Sequence, residues 1–233
     1  MFAVLLITLE IRSLVAGRLD TPHYGLLEQS LQSIAWLAAS YGLMRASRRH
    51  DRLVLRWGWR LLAALATLQV VLLQLIAKNP LWSRIEIGDM LGLDLLLLAY
   101  LVPAVFAFLF AQRLPEVAPR RFATAAAILG LVLVFAYLTL EVRHAFHGAI
   151  LAGGRTSDAE WYSYSVVWLV YAGALLALGF QRRKPRLRHA GLAIVLVTII
   201  KVFVWDMAEL SGLYRAASFL GLGLSLVAIG WLY

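Results

Sequence analysis

The chain has 233 residues, 62% of them hydrophobic and only 15% charged, against roughly half apolar and a quarter charged in an ordinary soluble domain. That balance predicts an all-α, polytopic membrane helix bundle, and the absence of any cysteine excludes disulfides, Cys-ligated zinc, iron–sulfur clusters and thiol catalysis. A net charge of +9 raises nucleic acid as a partner until the placement of the charges is considered.

In chain order, the first apolar stretch is Met1–Leu9, about 14 Å long at 1.5 Å per residue and too short to cross a bilayer alone. The expectation is that the chain is a piece of a longer protein. Leu26–Met44 follows and leads into Arg45–Arg56, which holds five arginines. Trp57–Ala77 comes next, then Gly88–Ala111, where Pro103 should kink the helix and "GDMLG" (Gly88–Gly92) reads as a small-xxx-small contact. Arg113–Arg121 carries three arginines. Phe122–Leu140 and Trp161–Phe180 precede Arg182–Arg188, with five Arg or Lys, and Ala190–Trp205 and Leu213–Tyr233 close the series. This makes about eight transmembrane helices.

The charges sort by loop. Fourteen of the 22 basic residues, with only Asp51 and Glu116 of the acids, fall on the side of the three arginine-rich loops. By the positive-inside rule that side is cytoplasmic, which places the chain in a bacterial inner membrane with both termini inside. The high charge is a topology signal, so nucleic acid is dropped and membrane lipids are the expected partners.

An internal repeat organises the helices. "LEIRSLVAG" (Leu9–Gly17) matches "LEVRHAFHG" (Leu140–Gly148), and at nearly the same shift Glu28 meets Glu160, Trp36 meets Trp168, Arg56 meets Arg188 and Gln69 meets Lys201. Two tandem four-helix units are expected, residues 1–112 and 120–233, joined by a cytoplasmic linker at 113–119. Four helices per unit make this a parallel repeat. Because Gln69 replaces the lysine, the second unit reads as the active one.

Charge inside the apolar runs supplies the candidate ligand-binding residues: Glu141, Arg143, His144, Glu160, Lys201, Asp206 and Arg215. An ionisable group at the centre of a bilayer costs at least about 2.5–3.5 kcal/mol, so Lys201 should face the bundle interior and find a partner there. Asp206, five residues on, points away from it; Glu141 is the first choice and Glu160 the second. Glu160 also closes the capping box "SDAE" (Ser157–Glu160), and Glu141 and Arg143 could serve only to tie helices together. "EVRHAFH" spaces Glu141, His144 and His147 like bundle metal ligands, but the first unit lacks both histidines. No metal and no cofactor are expected.

"LEVRHAFHG", "AEWYSYS" and "KVFVWDMAELSGLYRAASFLGLGLSLVAIGWLY" resemble the C-terminal part of the DUF2339 family of bacterial membrane proteins, closely over Thr139–Tyr233 and more loosely before it. The resemblance implies that Glu141, Arg143, Glu160, Lys201, Asp206 and Arg215 follow a family pattern. It further implies a fragment or a shortened relative, since family members are usually longer, with more membrane helices upstream and often a soluble N-terminal region. A missing N-terminal membrane region or other membrane subunits are then candidate partners. It brings no reaction with it.

The expected function is an outer-facing site between helices that binds or translocates a polar or anionic ligand. Two other readings stay open: a structural or assembly subunit of a membrane complex, and an outer-leaflet enzyme using a lipid-linked donor, with Glu141 or Asp206 as base.

Overall fold

The computed structural model describes residues 2–16, 25–50 and 52–206, with five single positions between 220 and 231. Among the described residues all regular structure is helical: α1 (Phe2–Ala16), α2 (Leu26–Arg49), α3 (Leu53–Gln69, continued by a π-helical stretch Val70–Ala77), α4 (Val102–Arg113, preceded by π-helical Leu97–Leu101), α5 (Arg120–His147), α6 (Asp158–Gln181) and α7 (Pro185–Lys201, running on as π-helix to Asp206). Five of these runs are long and apolar enough to cross a bilayer: Leu53–Ala77, Leu97–Glu116, Arg120–His147, Asp158–Gln181 and Pro185–Val204. The expected span Leu213–Tyr233 lies outside the described residues apart from those isolated positions.

The bundle is built inside out. Along α3, Leu61, Leu65, Leu68, Leu72 and Ile76 are exposed, as suits side chains meeting lipid tails. The 24-residue α2 does the reverse and buries Glu28, Gln29, Ser30, Gln32, Ser33 and Ser40. The expected span Leu26–Met44 is thus too polar to count among those five runs; buried polar groups cost free energy unless they meet partners, and α2 packs against α3, α4 and the π-helical segments. Trp36 Nε1 also donates to Thr8 Oγ1 at 3.1 Å, tying α2 to α1.

One expected helix start is replaced by a loop. Apolar sequence from Gly88 onward predicts helix, yet Gly88 and Gly92 adopt φ of 102° and 78°, a region costly for residues with a Cβ. The helix begins only after Asp94, whose Oδ1 accepts from Leu97 N at 3.1 Å. "GDMLG" is therefore a turn, not a helix–helix contact. The connector is pinned by Ile87 N donating to Ala149 O at 3.0 Å, beside the isolated bridge between Glu86 and Ile150. Pro103 stands just after the π-helical Leu97–Leu101, in the first turn of α4, where a proline's missing N–H costs least.

At the far end of α2, Arg48 pairs with Glu116, which is also 3.4 Å from Arg113. The arginine-rich loops that follow α2 and α4 thus share one end of the bundle, opposite the glycine-rich connector.

The chain divides into two compact units, Met1–Arg155 and Thr156–Tyr233. This seam falls after α5, whereas the sequence repeat sets its seam at 113–119, before α5; α5 packs on α4 within the first unit. In the second unit α6 and α7 pack closely. A Cβ on Gly191 would lie 2.8 Å from Leu176 Cγ and 3.0 Å from Ala172 O, so the absence of a side chain there sets the approach of the two helices.

Candidate functional site

Gln29, Gln32 and Ser33 share one face of α2, being three and four residues apart. Gln69 Nε2 donates to Gln29 O at 3.1 Å and to Gln32 Oε1 at 3.2 Å. Gln74 Nε2 donates to Ser33 Oγ at 2.9 Å, and that hydroxyl donates to Gln29 O at 2.8 Å. Tyr100 OH donates to Gln74 O at 2.7 Å, reaching a carbonyl of the π-helical stretch. The network is not closed: Gln74 Oε1 is buried and accepts no hydrogen bond among the described residues. The first unit, which reads as the quieter copy because of Gln69, carries this polar interior. Its members at Gln29, Ser33 and Gln74 were not among the candidates, since uncharged side chains in an apolar run raise no flag.

The second feature lies at the connector end of the first unit. Glu141 and His144, three apart on α5, face Asp94 from the loop before α4. His144 Nδ1 is 3.0 Å from Asp94 Oδ2 and 3.8 Å from Glu141 Oε2. One ligand atom from each of the three lies within 4.8 Å of the others. The His144 and Asp94 side chains are 2% and 0% exposed and Glu141 is 15% exposed, so the group is sealed on all but one side. Gly92 N donates to Glu141 Oε2 at 3.3 Å, which the positive φ of Gly92 permits. Asp94 was missed by the sequence reading because its residue run passes for membrane helix. His147 is not part of the group; its ring lies against Gly154.

Arg143 points to the loop that follows α5. Its Nε donates to Leu151 O at 2.9 Å and its Nη2 to Gly153 O at 2.7 Å, so its guanidinium serves to fold the 148–155 loop back onto α5.

In the second unit, Ser157 caps α6 by accepting from Glu160 N at 3.3 Å, the capping arrangement read in "SDAE". Glu160 is fully buried and its Oε1 accepts from Tyr164 OH at 2.8 Å. Lys201, 6% exposed, donates to Trp161 O at 2.7 Å and Ser165 Oγ at 2.8 Å, with its ammonium 5.1 Å from the Trp161 ring centroid. Lys201 does face the bundle interior, and these partners are on α6, one and five residues past Glu160. The first-choice partner Glu141 makes the contacts described above within its own unit. Arg215 and the side chain of Asp206 lie outside the described residues, as does Glu209.

The family model described as "Predicted membrane protein (DUF2339)" matches residues 1–233. No curated protein and no solved structure matches the chain.

Proposed function

Since the chain belongs to the DUF2339 family of membrane proteins, we propose that it is a multi-pass protein of the bacterial inner membrane that binds a small polar solute between the helices of its first unit. The observation that carries this reading is Gln74, whose amide oxygen is buried and unserved in a network of Gln32, Ser33, Gln69 and Tyr100. Polar residues used only as glue between membrane helices pair with one another. An acceptor left over in a dry core costs about 1–3 kcal/mol, a cost that a solute carrying a donor group removes. A polar rather than an anionic solute fits, because the network offers amides and hydroxyls, while Arg143 and Lys201 hold backbone carbonyls. Those carbonyl contacts favour a structural role for the two cations. The loop charges support an orientation with the connector end outside and both termini in the cytoplasm.

The chain has no cysteine, so one introduced thiol reports its own surroundings. Ser33→Cys in native membranes should react with a small membrane-impermeant thiol reagent much faster than Leu133→Cys, a buried apolar position of the same unit. Equal, negligible labelling of both would leave α2 as structural glue and overturn the reading.

A further inference from the structure

We propose that Asp94, Glu141 and His144 form a site for one divalent transition-metal ion, of which zinc is the best match. The site shares no residue with the α2 solute site. Three observations converge on it. The first is spacing: donor atoms held about 2.0–2.2 Å from a common ion stand about 3–4.4 Å from one another; His144 Nδ1 and Asp94 Oδ2 are 3.0 Å apart, and one ligand atom from each of the three residues lies within 4.8 Å of the others.

The second is that a donor atom on each residue is buried without a hydrogen bond. Asp94 Oδ2, Glu141 Oε1 and His144 Nδ1 are all buried and none makes a hydrogen bond among the described residues. His144 Nδ1 and Asp94 Oδ2 are close enough for one but not aligned for it, which leaves both atoms able to face a third body. The opposite carboxylate oxygens are held by backbone: Leu97 N fixes Asp94 Oδ1 and Gly92 N fixes Glu141 Oε2. Such outer contacts are what orients metal ligands and leaves one lobe of each free.

The third is charge. Two carboxylates brought together in a buried site repel each other unless a cation or a proton lies between them, and a divalent cation screens both at once. One nitrogen and two oxygen donors, without sulfur, suit zinc first and manganese or ferrous iron next. Three protein ligands leave a coordination position for water, reached past Glu141, the least buried of the three.

The test uses the full chain, freed of any affinity tag, stripped with EDTA and titrated with Zn²⁺ and then Co²⁺ in detergent. The wild-type chain should retain one Zn²⁺ after desalting, and Co²⁺ should give a visible absorption band of a low-coordinate site. Asp94→Asn and His144→Gln should each weaken Zn²⁺ binding by about tenfold or more and abolish the band, while His147→Ala changes neither. Helical circular dichroism and a monodisperse elution profile show which variants fold. Failure of the wild-type chain to hold Zn²⁺ or Mn²⁺ overturns the proposal whatever the variants do. Binding unchanged in folded Asp94→Asn and His144→Gln overturns it as well and marks the metal as adventitious.

Discussion

His144 Nδ1 and Asp94 Oδ2 stand 3.0 Å apart with both side chains sealed from solvent, although one residue lies near the end of a long helix and the other caps the start of the helical run just before it in the chain. What brings them together is backbone: the connector before α4 is pinned to the loop after α5 through Ile87 N and Ala149 O. The glycines at 88 and 92 turn the chain so that Asp94 meets α5 and not lipid.

Chelation should therefore destabilise the wild-type chain. A metal present at a hundredfold excess over its Kd stabilises the folded state by about 2.7 kcal/mol, so EDTA should lower the apparent Tm in detergent by several degrees. Asp94→Asn should melt at the same temperature with and without EDTA. An EDTA effect of equal size in both would place the chelated ion elsewhere.

Lys201 Nζ donates to Trp161 O and Ser165 Oγ on α6, and the residue is buried. Lys201→Ala removes both and leaves a cavity, and should cost about 2–4 kcal/mol. Lys201→Met keeps the volume of the stem and should cost less than Lys201→Ala. Thermal melts of the two variants check the order; an Ala variant as stable as wild type would mean that the lysine adds nothing to the packing of α6 on α7.

Gly191 is a close approach between α6 and α7 at which backbone is one of the obstacles. Gly191→Ala sets a methyl 3.0 Å from Ala172 O and 2.8 Å from Leu176 Cγ, and overpacking of this kind costs about 1–3 kcal/mol. Gly173→Ala is the control, because no atom lies within 4 Å of its added Cβ and alanine is the better helix former. The prediction is a lower Tm for the first and an unchanged or higher one for the second.

The membrane orientation has a direct check. A reporter inserted at Ala152–Thr156 should read as extracytoplasmic, and one in the Arg45–Arg56 loop as cytoplasmic. The reverse pattern would overturn the orientation.

The long apolar helices were legible because hydropathy and length act locally, and the cap on α6 was legible because Ser157 and Glu160 stand at capping-box spacing. The start of α4 was not, because Leu91, Leu93 and Leu95–Leu98 continue the apolar run and a window of hydropathy cannot register two glycines with positive φ. Asp94 was lost with it. His144 and Glu141 were singled out by their spacing, but the third member of their cluster is a tertiary contact. The Lys201 partners stayed hidden for a related reason: a main-chain carbonyl at Trp161 leaves no mark in a sequence. Gln69 seemed idle beside a lysine at the corresponding position, yet hydrogen bonding to α2 needs no charge.

Gln74 separates the needs of stability from those of a solute. In Gln74→Leu the donation to Ser33 Oγ is lost, a net loss of about 1 kcal/mol, while the unserved Oε1 disappears and returns about 1–3 kcal/mol. The variant should be at least as stable as wild type, since it replaces a costly polar group by an apolar one of similar volume. It should also slow labelling of Ser33→Cys in the double variant, because the polar path that admits water and solute is now closed by a leucine. A marked fall in Tm would instead mean that the amide is structurally indispensable, and unchanged labelling would mean that solute reaches Ser33 by a route that does not pass Gln74.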